Sequence, residues 1–391
     1  MIKRVREKRF QHKYEVDEDA ISDANNWEKY LPGLIEDLQS TRYESHISSM
    51  KTLKHILGTV FPGAEALEPY LDDLTTSLTE IINNYTVPEE HQIACDTFCI
   101  VALSAGEDFE LYASTLLAEI TPSLHQLTEE EKDRLFLIGF IGAFIIHTSI
   151  TKQDIINSLT GFLLGKGEFS DEVMVKGLHS LSILMSSVDI EIFEHNYDKI
   201  IRIINEQLNS STYEVLCAVL ELIAVTFDYL RELDDVPASD ADEEPHNASD
   251  FVNEYRQKVT GISRGLKLKK TDQKSLQKKA THVDSLFDGE EIVTEDLILN
   301  QQSVVFEGKR KLTLLKALRE VSTVHFECQM ARNPVVHEFF AYRLRSTDEV
   351  AREKKRNAWQ NKRDRVANTK DRERDRDKKR KQKEMRAESD F

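Results

Sequence analysis

Apolar residues recur through the first two thirds of this chain at the spacing of an α-helix. In "LEPYLDDLTTSLTEII", Leu67, Leu71, Leu74, Leu78 and Ile81 fall at i, i+4, i+7, i+11 and i+14. These positions share one face of a helix with 3.6 residues per turn. From about Trp27 to Leu233 one such segment follows another, with Pro and Gly expected between segments rather than within them. A longer period overlies the short one. Polar helix-start signals open a strongly apolar helix at "TRYESHISSM" (41), "PEEHQIACDTF" (88), "TEEEKDRLFLIGF" (128), "SDEVMVKGLHSLSILM" (170) and "STYEVLCAVLELIAV" (211), at spacings of 47, 40, 42 and 41 residues. Three starts read as capping boxes, Thr41/Glu44, Thr128/Glu131 and Ser211/Glu214, in which hydroxyl and carboxylate satisfy orphan N–H groups of the first turn. An amphipathic helix ahead of each apolar one predicts a HEAT- or armadillo-like α-solenoid, with an irregular helical bundle as the competing architecture. Leu135, Ile138, Leu184 and Leu220 are expected in its core.

The pattern changes after residue 233. "DDVPASDADEEPHNASD", 234–250, holds seven acids, two prolines and no Lys or Arg, and reads as an acidic linker. Residues 251–345 read as a small α+β domain. It opens with the basic helical stretch "GLKLKKTDQKSLQKKATHVDSLF" and continues with "EDLILNQQSVVFEG", whose β-branched and apolar pairs predict extended structure. "KRKLTLLKALREV" is an amphipathic helix with Leu312, Leu315, Leu318 and Val321 along one side, and "STVHFECQM" is expected as a strand. "NPVVHEFFAYRL" starts a helix with Asn333 as N-cap and Pro334 at the first helical position. Residues 1–26 are a polar N-terminal segment, 27–233 the repeat domain and 346–391 a charged tail. The tail has no apolar stripe. Asp371/Arg374, Glu373/Arg376, Asp375/Lys379 and Asp377/Lys381 place an acid before a base at i+3 or i+4. Each such pair contributes about 0.2–0.5 kcal/mol to a solvated helix.

Charge changes the picture most. The 391 residues carry a formal net charge of −17, but residues 1–250 hold 18 Lys and Arg against 46 Asp and Glu, whereas 251–391 hold 34 against 23. Within 352–386 the count is 17 against 7, a net of +10. An acidic body with a basic arm points to a polyanionic partner for the arm; the plainer alternative is a solvated tail that keeps the protein soluble.

Other chemistry is sparse. Cys95, Cys99, Cys217 and Cys328 are too few for a disulfide framework, and the Cys95/Cys99 pair has no second pair at metal-ligand spacing. They read as small core residues. The start of the chain lacks the apolar core of a signal peptide, and the longest apolar run, "LFLIGFIGAFII" at 135–146, is too short to span a bilayer. A reducing, soluble compartment is expected, which leaves the sequons at Asn84, Asn209 and Asn247 without a role. "GFLLGKGE", 161–168, is one residue short of a phosphate loop and has Gly167 where the Mg²⁺-binding hydroxyl belongs, so a helix-to-helix turn explains it better. "HFEC", 325–328, lacks the downstream Pro-Cys-x-x-Cys of a deaminase zinc site, leaving His325 and Glu327 with structural roles. No constellation supports catalysis, and no cofactor, metal, membrane or small-molecule substrate is expected.

Four short stretches resemble the interferon-related developmental regulator family. "KKTDQKSLQKK", 269–279, is similar to the family's Lys/Arg-Gln approach to its C-terminal domain. "NPVVHEFF" resembles its Asn-x-Phe-Leu-x-x-Val-Phe helix at Asn333, Val335, Val336, Phe339 and Phe340. "NAWQNK", 357–362, resembles its Ser-Ala-Ala-Phe-Lys-Ala-Arg stretch, with Ala358 in place and Trp359 for Phe, and "KDR", 370–372, matches its Arg-Asp-Lys. The sequence departs from the family in the acidic 240s loop and in the tail beyond Asp377. The resemblance implies an armadillo-like N-terminal region, a small C-terminal domain and a basic tail. It also implies two non-enzymatic roles. One is ribosome binding, with the tail entering the mRNA and tRNA channel and holding the ribosome inactive. The other is transcriptional co-regulation by a nuclear adaptor that binds protein partners through its repeats. On the first reading the protein is cytoplasmic, and its rRNA contacts are Lys354, Lys355, Arg356, Trp359, Lys362, Arg363, Lys370, Arg372, Arg374, Arg376, Lys378, Lys379, Arg380 and Lys381. Basic side chains bind phosphates with release of counterions, and Trp359 offers a stacking face. Ribosomal proteins would then meet the acidic solenoid. On the second reading "DKKRKQK", 377–383, serves as a nuclear import signal.

Overall fold

The computed structural model describes residues 27–344 except 166, 168, 235–245, 263–265, 290–293 and 301. The described residues up to Tyr342 belong to one compact unit. After a 3₁₀ turn at Trp27–Lys29, six helix pairs follow: α1 (Leu31–Leu38) and α2 (Tyr43–Thr59), α3 (Ala64–Asn83) and α4 (Pro88–Ala105), α5 (Glu110–Ile120) and α6 (Asp133–Phe144), α7 (Ser149–Leu163) and α8 (Asp171–Met185), α9 (Ile190–Gln207) and α10 (Tyr213–Asp234), α11 (Ala248–Gly261) and α12 (Lys270–Phe287). The second members stack in order from α2 to α12 and form one layer. The first members form another, with α1 against α3, α7 against α9, and a 3₁₀ turn at Thr121–Gln126 bridging α5 to α7. This is the α-solenoid expected from the 40-residue period.

The chain then makes an antiparallel hairpin, β1 (Thr294–Leu299) and β2 (Gln302–Glu307), with Asp296 opposite Val305 and Leu299 opposite Gln302. Three helices end the described fold: α13 (Lys309–Ser322), α14 (Phe326–Arg332) and α15 (Pro334–Phe339). They form a partial third layer, in which α13 lies on α4, α8 and α10, α14 on α2, and α15 on α4. The middle layer therefore has neighbours on both faces. Its helices show this in their composition, for every residue of α6 from Arg134 to Phe144 is buried, as is all of α4 from Phe98 to Ala105. A helix that is apolar all round needs cover all round. The amphipathic outer helices need it on one side only, and Leu67, Leu71, Leu74, Leu78 and Ile81 of α3 are all buried. Leu135, Ile138, Leu184 and Leu220 are core residues as expected.

Several local expectations change. Of the three capping boxes only Thr128/Glu131 forms. Arg42 occupies the N-cap of α2 but makes no side-chain cap hydrogen bond to the first turn, and Thr212 rather than Ser211 precedes α10, its hydroxyl donating to Asp171 at 2.8 Å. Ser170 caps α8 by accepting from the Val173 N–H. Pro and Gly are not confined to the joints: Pro69 lies within α3, Gly139 and Gly142 within α6, and Gly177 within α8. A Cβ on Gly139 would stand 2.7 Å from the Ser180 main chain, so the glycine lets α6 and α8 approach closely.

"STVHFECQM" is a 3₁₀ turn followed by α14 rather than a strand. Its short apolar run suits either state, and the left-handed Thr323 (φ 47°) turns the chain out of α13 into a new helix. Residues 248–250 already belong to α11 instead of continuing a linker. Asn247 is the N-cap, its Oδ1 accepting from the Asp250 N–H at 2.8 Å, while the Asp250 carboxylate accepts from Asn247 Nδ2 at 2.9 Å. Residues 235–245 lie outside the described residues.

Candidate functional site

Every residue that the sequence assigns to RNA, from Lys354 to Lys381, lies outside the described residues. Within the described fold, the third layer consumes much of the middle layer's surface. Helix geometry leaves the last four carbonyls of each helix without partners. Gln329 Nε2 donates to the Leu57 carbonyl of α2 at 3.3 Å, and Asn333 Nδ2 donates to the Leu103 carbonyl of α4 at 3.3 Å. Asn333 also accepts from the Val335 N–H at 2.9 Å, as the N-cap its sequence predicts. At the end of α6, Phe144 stacks on Phe339 with ring centroids 4.4 Å apart. Arg310 of α13 places its guanidinium 3.5 Å above the Tyr229 ring and reaches Glu232 at 2.5 Å and the Val188 carbonyl at 3.1 Å. Lys176 of α8 bridges Asp133 of α6 at 3.4 Å and Glu320 of α13 at 3.0 Å. The third layer thus closes this face through helix-end carbonyls, aromatic rings and ion pairs.

A groove of about 480 Å³ stays open beside it, where α12 and α13 both sit on α10. Its floor comes from α10, with Cys217, Leu220, Glu221 and Ala224 at i, i+3, i+4 and i+7 on one face. One wall carries Lys278, Lys279, His282 and Val283 of α12, and the other Lys309 and Lys316 of α13. Glu221 is its one acidic residue. It meets Lys316 at 3.1 Å, Lys309 at 3.5 Å and His179 at 3.3 Å. Burial would raise the Glu221 carboxyl, but Lys309, Lys316 and His179 pull it down to about 2. Lys278 and Lys279 are exposed and make no ion pair among the described residues. The lysines of "KSLQKK" belong to the predicted basic helix. Their meeting with Lys309 and Lys316, some 30 positions on, had no local signal.

Two further cavities are less distinctive. One of about 650 Å³ between α10, α13 and α15 is lined by both charge signs, including the paired Arg310 and Glu232. Another of about 540 Å³ lies at the ends of α9 and α11.

The remaining chemistry-bearing groups serve the core. Cys95 and Cys99 are buried, and burial pushes both thiols well up, which disfavours the nucleophilic thiolate. Burial, helped by Arg134, lowers His91 to about 4. Burial raises Asp96, opposed by Lys54 at 2.8 Å. His325 packs edge-on against His55 with ring centroids 5.0 Å apart, and "GFLLGKGE" spans the end of α7 and the joint to α8. Among the described residues no group of three or more His, Cys, Asp or Glu is placed to hold a metal, and no helix is long and apolar enough to cross a membrane.

Comparison with curated proteins returns no match. Among solved structures, a designed armadillo repeat protein aligns with 14% identity and a TM-score of 0.38, over 65% of this chain and 99% of its own. A second designed armadillo repeat protein, in complex with the peptide (KR)4, aligns with 15% identity and a TM-score of 0.38, over 65% of this chain and 99% of its own. An engineered protein aligns with 13% identity and a TM-score of 0.37, covering 80% of this chain and 76% of its own. The family model for the interferon-related developmental regulators matches residues 5–282, and the chain belongs to that family.

Proposed function

We propose that this chain is a non-enzymatic ribosome-binding protein: its basic C-terminal arm contacts rRNA and holds the ribosome inactive, while its helical body serves as a protein-binding scaffold. The observation that carries this reading is the segregation of charge, +10 within residues 352–386 against −28 for residues 1–250. A body of that sign is repelled by rRNA, so the arm supplies the attraction. The acidic body suits basic ribosomal proteins instead. Much of the middle layer is covered by α13–α15, which leaves the outer helices and the lysine-lined groove to partners. The arm's alternation of Arg with Asp suits a helix in a narrow polyanionic channel, and family membership supports the same role through the resemblance of the Trp359 and Lys370–Arg372 stretches.

The test is sedimentation through a sucrose gradient. Changing Lys378, Lys379, Arg380 and Lys381 to Glu alters the arm's charge by −8 and releases the protein from ribosomal fractions at moderate salt. Unchanged co-sedimentation removes the arm as anchor. A wild-type chain that is confined to the nucleus and absent from ribosomal fractions favours the adaptor role instead.

A further inference from the structure

The groove on α10 differs from its surroundings in sign and in floor. Its four lysines and one carboxylate leave a net of +3 beside a repeat region that is strongly acidic. Lys309 and Lys316 stand two helical turns apart on one wall, and Lys278 and Lys279 are adjacent on the other. The base between them is formed by Leu220 and Ala224 of α10, with the Cys217 thiol beside it, all nearly buried, so the exposed apolar surface comes chiefly from the lysine stems. Its volume of about 480 Å³ falls in the range of pockets that hold small ligands or a few side chains.

We propose that this groove docks an acidic amphipathic segment of a partner protein, with its carboxylates at the lysine ammonium groups and an aliphatic side chain between the lysine stems above α10. Glu221 provides the internal precedent, for its carboxylate pairs with both Lys309 and Lys316 on the floor of the same groove. Lys278 and Lys279 have no such partner among the described residues, and they supply the charge that an incoming carboxylate meets.

RNA fits the groove less well. Single-stranded RNA is bound by aromatic platforms and Arg planes on which bases stack, and the groove's lining contains neither an aromatic ring nor an arginine apart from the imidazole of His282. A nucleic acid strand that ran from the groove toward the preceding repeats would also extend its charge over acidic surface, whereas a short peptide confines it to the groove. Lysine suits this partner as a point charge on an apolar stem that can lie along an aliphatic anchor.

The test uses the full chain and a fluorescein-labelled synthetic peptide, helical, with Asp and Glu on one face and Leu on the other. Because the basic arm also attracts acids, three proteins are compared by fluorescence anisotropy: the wild type, the double variant Lys278→Glu and Lys279→Glu, and the four-fold arm reversal. Both groove lysines are exposed, and an unchanged melting curve confirms that the double variant folds; Lys278→Gln with Lys279→Gln serves as a milder second pair. The expected result is at least a tenfold loss of peptide affinity in the Glu pair, a smaller loss in the Gln pair, and less than a twofold change in the arm reversal. A peptide with Leu replaced by Ser binds the wild type at least tenfold more weakly. The proposal is overturned if no peptide binding is detected, if the loss follows the arm reversal, if the Ser peptide binds equally well, or if an oligouridylate needs the groove lysines while the peptide does not. Ribosome co-sedimentation of the groove variants is measured separately, so failure of the groove proposal and failure of the arm reading give different results.

Discussion

The side-chain amide of Asn333 donates to the main-chain carbonyl of Leu103, 3.3 Å away and 230 positions earlier in the chain. One residue thereby starts α15 and finishes α4. Its Oδ1 accepts from the Val335 N–H, and its Nδ2 also donates to Gln329 Oε1 at 2.7 Å. Asn333 is 1% exposed, so no water replaces these bonds once the side chain is removed. Asn333→Ala should destabilise the fold by about 1–3 kcal/mol. Asn333→Asp keeps the acceptor for Val335 but sets a carboxylate against the Leu103 carbonyl, so it should be no milder. Chemical denaturation of both variants checks this, and unchanged midpoints would show that α14 and α15 dock without this bond.

Gly139 is required by distance rather than by backbone angle. A Cβ there meets Cα and the carbonyl oxygen of Ser180 at 2.7 Å, and Ser180 itself donates to the Leu135 carbonyl. Gly139→Ala must push α6 and α8 apart, which should cost roughly 1–3 kcal/mol. Because the clash is partly with backbone, Ser180→Gly should not restore stability. A thermal melt of the single and double variants separates this from a simple loss of the serine hydrogen bond.

Acid should destabilise the protein in two windows. The folded His91 titrates near 4 against an ordinary value of 6.5. Between those values the unfolded chain takes up a proton that the folded chain refuses, so stability falls as pH drops from 6.5 to 4, by on the order of 3 kcal/mol in all. Glu221 is depressed to about 2 from 4.5. Its contribution is present above the unfolded value and is lost as pH falls from about 4.5 toward 2. His91→Leu should flatten the first window and leave the second. Urea midpoints from pH 7 to 3 measure both.

In the arm, charge and stacking should separate through salt dependence. Changing Lys370 and Arg372 to Gln should weaken binding to ribosomal RNA. It should also lower the slope of log affinity against log salt by about 0.7–0.9 for each phosphate that the arm no longer neutralises. Trp359→Ala should weaken binding with little change of slope, because stacking releases no counterions. Titrations at four salt concentrations distinguish the two, and a slope that shifts with Trp359→Ala would contradict its assignment as a stacking residue.

Local and periodic features were legible in the sequence. The face from Leu67 to Ile81, the extended character of "EDLILNQQSVVFEG", the Thr128/Glu131 box and the Asn333–Pro334 helix start each depend on residues close to one another in the chain, so local composition and spacing reveal them. The Asn247/Asp250 cap carried the same kind of signal inside a run of acids, where composition masked it. "HFECQM" offered too few residues for its period to be decided, and its helix follows from the turn at Thr323 and from docking on α2.

The sequence by itself determined the helices, their pairing into a repeat and the division of charge along the chain, because propensity, amphipathic period and net charge act over short distances. Only the tertiary structure decided that α13–α15 fold back onto the middle layer. That outcome rests on Gln329 and Asn333 meeting unpaired carbonyls at the ends of α2 and α4, and on the apolar stretches Phe98–Ala105 of α4 and Leu135–Phe144 of α6 requiring cover on their second face. The lysine groove is of the same kind. Lys278 and Lys279 share a helix, but Lys309 and Lys316 face them only because α12 and α13 both rest on α10. A binding site made by three helices exists only once packing has brought those helices together.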